Sequence, residues 1–409
     1  MLVLPRQGLP VVALQATVQG DRRFDPEDRA GLAEFTGKML QEGCEGKSSY
    51  DIASAIEAVG GTLESDDEGI TAQGLSRDLP LLLDIVSGCL STPTFPADRV
   101  AHIKAKTMAE IESDEDDPAT VGSRAFHELV YEGHPYHHPS VGYKRTVQAI
   151  TRDDLVAHHG RTYSPTGTLL AIVGEVDPLA IRSQVEKAFG RWKPREVSLA
   201  KVPAIERQAG PKLRAIFMDK EQLNIYLGHL GVRRSNPDYY SLQVMDNILG
   251  TSPGFADRMS RILRDEMGLA YHVRANITGT SGLEPGAFTA YIGTSPRNRR
   301  TSVEEMTRLI REICEVPVSP AELKDAKDYL TGSFVFKFET ASQLASFLVD
   351  AERYQLGDDY LARYPELINE VSVADVTRVA RQYLAPGAFS TVIVGPVDEK
   401  GELKAPAKK

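Results

Sequence analysis

Nine histidines are the first residues in this chain whose type could support chemistry. His134, His137 and His138 form an H-x-x-H-H run, and imidazoles at such spacing are common zinc ligands. Pro135 and Pro139 interrupt any helix that would align them, so the run is expected to be a surface loop. His158 and His159 are neighbours on a helical segment and so point in different directions. His229 and His272 flank strand segments and are candidates for lining a cleft, whereas His102 and His127 stand alone on helices. Cys44, Cys89 and Cys314 lie far apart with no C-x-x-C, which argues against a disulfide framework and a cysteine-rich zinc site. Residues 110–117, EIESDEDD, carry six acids in eight positions. The EF-hand glycine and terminal glutamate are absent, so this reads as a solvated helix end. No P-loop occurs.

The elements that must position such residues come from a chain of 409 residues, long enough for two or three domains. With 42% hydrophobic and 25% charged residues it has a globular composition. A net charge of −10 argues against a nucleic-acid binder working through a general basic surface. No apolar run approaches the roughly 18 residues of a membrane span. The N-terminal segment has neither a basic region nor a long apolar run, so the expectation is a soluble chain without a signal peptide. The compartment is left open between the cytoplasm and, had a leader been removed, the periplasm.

The chain contains an internal repeat. Residues 150–177 (ITRDDLVAHHGRTYSPTGTLLAIVGEVD) align with residues 371–398 (VSVADVTRVARQYLAPGAFSTVIVGPVD), pairing Asp154 with Asp375, Gly174 with Gly395 and Asp177 with Asp398. Each copy reads as helix, Pro turn and apolar strand. One unit of about 200 residues used twice is therefore expected: residues 1–192, a linker over 193–212, residues 213–398, and a frayed polar tail over 399–409. Apolar spacing predicts helices over 28–42, 51–59, 79–89, 97–111, 119–131, 153–161 and 179–189 in the first half. Strands are predicted there over 11–18, 70–75 and 168–173. The second half repeats the style, with strands over 213–218, 223–228, 273–278, 287–292 and 389–394. Its predicted helices run over 239–249, 256–266, 302–314, 320–331, 340–356 and 372–383. Strands and paired helices without strict βαβ alternation favour an α+β class.

The segment 31–43, GLAEFTGKMLQEG, carries a family resemblance. It resembles the metal helix of the pitrilysin/insulinase family of zinc peptidases, which includes the mitochondrial processing peptidases. Supporting landmarks are residues 52–61 (IASAIEAVGG), 93–96 (PTFP), Asp117-Pro118, His134 to Tyr136 and the V-G-x-V-D endings of both halves, so the likeness runs from about Leu4 to Asp398. The resemblance implies two homologous α/β-sandwich domains related by a pseudo-two-fold duplication, each a largely antiparallel sheet with helices packed on it. In active relatives the helix bears H-x-x-E-H, two histidine ligands and a glutamate base. Here Glu34 stands at the first histidine position, Gly37 at the glutamate position and Lys38 at the second histidine position, and the downstream ligand matches Glu110. A lysine ammonium repels a metal and glycine cannot take a proton, so no metal is expected in this chain. Glu34, Lys38 and Glu110 are expected to form ordinary ion pairs on a solvated helix face.

Residues 258–271, RMSRILRDEMGLAY, are similar to the family's R-L-x-x-x-x-R-x-x-x-G-L-x-Y signature, with Met259 in place of leucine. In active relatives the matching arginine and tyrosine are aimed at the scissile carbonyl, a role the resemblance passes to Arg264 and Tyr271. Peptide hydrolysis builds negative charge on that oxygen, which two fixed donors stabilise. The resemblance thus implies a non-catalytic subunit of a heterodimeric zinc peptidase. Its partner would be a homologous H-x-x-E-H chain that brings the zinc, its substrate an unfolded peptide, and self-association is possible without the partner. The alternative is a structural protein of the same fold, like the core proteins of respiratory complexes.

Overall fold

The computed structural model describes residues 1–404 apart from Ser198. In chain order the first half carries β1 (Leu2–Pro5), β2 (Val11–Thr17), α1 (Leu32–Met39), the short strands β3 (Gly43–Cys44) and β4 (Lys47–Ser48), α2 (Ser49–Ala58), β5 (Thr62–Asp66) and β6 (Gly69–Leu75). It continues with α3 (Leu79–Ser91), α4 (Ala97–Asp116), α5 (Pro118–Val130), α6 (Lys144–Ala149), α7 (Arg152–Thr162), β7 (Leu169–Gly174) and α8 (Ile181–Phe189). The second half carries β8 (Lys212–Phe217), β9 (Leu223–Leu230), α9 (Tyr239–Asp246), β10 (Ala270–Asn276), β11 (Ala287–Thr294) and α10 (Arg299–Glu315). It ends with α11 (Pro320–Gly332), α12 (Ala341–Arg353), α13 (Tyr360–Asn369), α14 (Val373–Tyr383) and β12 (Ser390–Gly395).

The two halves build two sheets of one topology. The first has the order β1-β7-β2-β6-β5 and the second β8-β12-β9-β11-β10. In each, one outer pair is parallel (Leu2 opposite Ala171, Leu213 opposite Thr391) and the other pairs are antiparallel. The duplication extends to single residues. Thr151 and Ser372 cap α7 and α14 through matching capping boxes with Asp154 and Asp375. Gly174 and Gly395 close β7 and β12 at φ 143° and 149°, a conformation that only glycine adopts freely. Asp177 and Asp398 each accept the backbone N–H two residues on, at 2.9 Å.

The compact units are not the contiguous halves 1–192 and 213–398. One comprises residues 1–113, 138–203 and 336–355, and the other 114–137, 204–335 and 356–409. Each sheet is covered by a helix from the opposite half. In the first unit Ala341, Leu344, Ala345 and Val349 of α12 pack on Ala13, Ala171 and Val173. In the second, Ala125, Phe126 and Val130 of α5 pack on Tyr226, Tyr291, Val392 and Val394. The periodicity of both helices is plain in the sequence, but their destination is not, because amphipathicity says that a face is buried and not against what.

Three further differences are local. β1 and β5 are edge strands, and α6 is short, so none carries enough apolar periodicity to be read. α13 forms despite Pro365 inside it, with Tyr360, Tyr364 and Ile368 buried on one face. Within the tail expected over 399–409, residues 405–409 lie outside the described residues. The part before them is held, with Val397 bridged to Leu403 and the Lys404 ammonium 4.0 Å from the Phe217 ring centre. Among the described residues no helix is long and apolar enough to cross a membrane.

Candidate functional site

Helix α1 is entered through Gly31 in the left-handed region (φ 93°). Asp25 caps it from a distance, its carboxylate accepting Gly31 N–H and Ala33 N–H at 2.9 Å each. Burial and the nearby acids Asp67 and Asp21 outweigh those two hydrogen bonds and push the Asp25 pKa up to about 7. Leu32, Phe35 and Met39 anchor the inner face against Phe95, Val100, Ile103, Ile150 and Leu155. That anchoring directs Glu34 and Lys38 toward the β5–β6 turn and α4.

The side chains at three of the four zinc-motif positions do converge. The Lys38 ammonium lies 3.2 Å from Glu34 and 3.0 Å from Glu110. Glu34 also receives the Asp67 N–H at 3.4 Å. Burial disfavours the ammonium, but Glu110 and Glu34 outweigh it and hold Lys38 above its ordinary range. The face is less solvated than the spacing suggests, since the Glu34 and Lys38 side chains keep only 14% and 24% of their exposure. The reason is the β5–β6 turn, which covers them.

The same turn explains Gly37. A Cβ at this position would stand 1.9 Å from the Asp66 carbonyl oxygen and 2.7 Å from Asp67 N. The backbone of the turn occupies the space from which a glutamate would have to extend. A zinc ion therefore does not fit the residues present. An ammonium already sits between the two carboxylates, where it would repel a metal ion, and no base can be mounted at position 37. Among the described residues no group of three or more His, Cys, Asp or Glu is gathered to hold a metal.

Further groups around α1 were not legible in sequence. Arg353 of α12 ion-pairs with Glu68 at 2.9 Å and Asp21 at 3.4 Å. Burial and the neighbouring acids Glu34, Asp66 and Glu68 push the Asp67 pKa up to about 7. Asp21 and Arg353 are 332 residues apart, so no local pattern could pair them.

In the other unit, Arg264 and Tyr271 stand side by side, the guanidinium carbon 5.3 Å from the ring centre. Arg264 rides on a wide-turn helical segment, Ser260–Glu266. Gly268 (φ 61°) then turns the chain into β10, the edge strand of its sheet. The pairing of β10 with β11 slips between Ala270 and His272, so Tyr271 sits in a bulge and projects outward, 84% exposed. The first arginine of the signature has a different job. Arg258 is buried and gives Glu322 of α11 two hydrogen bonds, at 2.7 and 3.1 Å. Although burial opposes ionisation, Arg258 holds the Glu322 pKa down at about 2. Met259, in the leucine position, is fully buried.

Among the described residues the histidines do not assemble a centre. In the H-x-x-H-H run, the His134 ring accepts Tyr136 N–H and the His137 ring contacts the His134 carbonyl. The turn over 135–137 is a short 3-10 helix. His158 and His159 point apart, each bonded to a backbone carbonyl, of Gly20 and Leu90 respectively. His229, a candidate for a cleft, is buried instead and accepts Ala385 N–H at 3.2 Å. His272 is exposed on β10.

Comparison with known proteins agrees with this architecture. Residues 6–142 match the family model for insulinase (peptidase family M16), and residues 149–330 match that for the peptidase M16 inactive domain. The chain belongs to the insulinase family, peptidase family M16. It is 27% identical over 384 residues to an uncharacterized zinc protease of Mycobacterium tuberculosis, spanning 91% of this chain and 86% of that protein. One from Streptomyces coelicolor is 28% identical over 389 residues, spanning 90% and 82%. Among solved structures, a peptidase M16 inactive domain from Pseudomonas fluorescens superposes with a TM-score of 0.89 at 25% identity, covering 98% of this chain and 96% of that one. A protease from Helicobacter pylori shares the fold at 18% identity, with a TM-score of 0.88 and 96% of each chain covered.

Proposed function

We propose that this chain is the non-catalytic subunit of a two-chain zinc peptidase. A homologous partner bearing H-x-x-E-H would bring the metal and the base. This chain would bind unfolded peptide and contribute Arg264 and Tyr271 to stabilising charge on the scissile carbonyl. Family membership and a motif helix without a metal-binding group are consistent with a non-catalytic member. The observation that carries the reading is the Glu34–Lys38–Glu110 triad beneath a turn that leaves no room for a side chain at Gly37. The adjacency of Arg264 and Tyr271 on an exposed edge supports the second role. Arginine stays charged and a phenol gives a directed O–H, so both suit a developing oxyanion.

The purified chain is expected to hold no stoichiometric zinc and to cleave no peptide; about one tightly bound zinc per chain would overturn the reading. Reconstituted with its partner, Arg264→Ala or Tyr271→Phe is expected to lower kcat by roughly 10²-fold with zinc content unchanged. Unchanged turnover would remove the assigned role. Co-purification of an assembly lacking any H-x-x-E-H chain would favour the scaffold alternative.

A further inference from the structure

Cys44 and Cys89 lie 45 positions apart and share no motif, yet they meet in the fold. Cys44 closes the β3–β4 ribbon opposite Lys47, and the ribbon is stitched to the chain just after α3. Glu45 N–H donates to Thr92 O and Thr94 N–H to Gly43 O, both at 3.0 Å, and Cys44 bridges Pro93. This sets the Cys44 sulfur into a notch on α3 at Gly88, 3.0 Å from where a Cβ would stand. Cys89 follows directly, which brings its thiol beside that of Cys44. Both are buried in one apolar cluster with Leu82, Ile85 and Val86. The cover over Cys44 is thin, since Glu45 and Gly46 beside it are exposed. The Lys47 ammonium, 2.9 Å from Asp84, lies at the same end of the ribbon.

We propose that Cys44 and Cys89 form a redox pair that closes to a disulfide when the folded chain meets a hydroperoxide. Cys44 is the attacking sulfur. The neighbouring Cys89 thiol and the Lys47 charge favour its thiolate, whereas burial holds the Cys89 proton on. The Cys44 thiolate attacks one peroxide oxygen, the O–O bond breaks, and Cys44 becomes a sulfenic acid; the departing hydroxide or alkoxide takes up the proton that Cys44 released on ionising and leaves as water or alcohol. The Cys89 sulfur then attacks the sulfenic sulfur. The S–O bond breaks, the Cys89 proton joins the departing hydroxide as water, and the S–S bond forms. The peroxide is reduced by two electrons and the thiol pair is oxidised by two. The closed loop contains α2, β5, β6 and most of α3, including the turn that covers Gly37. Oxidation would therefore tie down the segment lying on the motif helix. Cys314 serves as an internal control, because its sulfur bonds to the Ile310 and Ala380 carbonyls and burial pushes its thiol up to about 11.

The test treats the whole native chain with hydrogen peroxide, blocks remaining thiols after denaturation, and maps peptides without reduction. The expected result is a Cys44–Cys89 cross-linked peptide lighter by two hydrogens, one blocked thiol at Cys314, and full reversal by a thiol reductant. The Cys314→Ser chain should behave identically. In Cys89→Ser a sulfenic-acid trap should label Cys44, and in Cys44→Ser it should leave Cys89 unlabelled. Three blocked thiols after peroxide, or cross-links that include Cys314, would overturn the pair. Labelling at Cys89 but not at Cys44 would overturn the assigned order.

Discussion

At Lys38 one ammonium bridges two carboxylates. Helices α1 and α4 bring three side chains to a point, Glu34, Lys38 and Glu110. Changing Glu34→His together with Lys38→His therefore places a His-His-Glu set on the same face, and such sets hold zinc. The double variant is expected to retain close to one zinc per chain after dialysis, read by metal analysis, and still to cleave no peptide. Hydrolysis by it would mean a base outside the motif, and failure to hold zinc would mean that the three side chains do not converge. Gly37→Ala is expected to cost about 1–3 kcal/mol in denaturant unfolding, because its Cβ meets the Asp66 carbonyl and the turn must shift. A variant as stable as wild type would show that the turn does not rest on the helix.

At the scale of elements, α7 is fastened by two histidines that do no chemistry. Burial holds His158 and His159 neutral, each with its pKa lowered to about 4. Between that value and the ordinary 6.5 the unfolded chain binds more protons than the folded one. Their contribution to stability is thus present above about pH 6.5 and is lost as pH falls toward 4. Asp25, raised to about 7, has the opposite slope, its contribution being lost as pH rises toward neutrality. The histidine share is isolated by comparing wild type with a His158→Gln/His159→Gln chain. From pH 7 to pH 5 wild type is expected to lose roughly 2–4 kcal/mol more than the variant in urea unfolding. Parallel pH profiles would show that the rings are not held neutral. The elements read best in sequence were amphipathic helices with strong caps, such as α7 and α14. β5, with Leu63 as its one apolar residue, was missed because an edge strand has little to bury.

At the scale of the whole molecule, the exchanged helices make each half depend on the other. Residues 1–203 alone would leave Ala13, Ala171 and Val173 bare where α12 packs, and residues 204–409 alone would leave Tyr226 and Val394 bare where α5 packs. Each fragment expressed alone is expected to aggregate or to be digested by protease far faster than the intact chain. Co-expressed, the two should copurify as one protease-resistant complex, because the missing helices are supplied in trans. Two independently stable, monomeric fragments would contradict the exchange.

The sequence by itself determined the duplication, the α+β class and the loss of the zinc motif, because caps, glycine turns, apolar periods and ligand identities are local properties of the chain. Only the tertiary structure decided that α5 and α12 change places, that Arg353 reaches Asp21 and Glu68, that Cys44 meets Cys89, and that the Asp66 backbone lies on Gly37. These are contacts between residues distant in sequence. They are set by which apolar faces cover which sheet, and no local pattern records that choice.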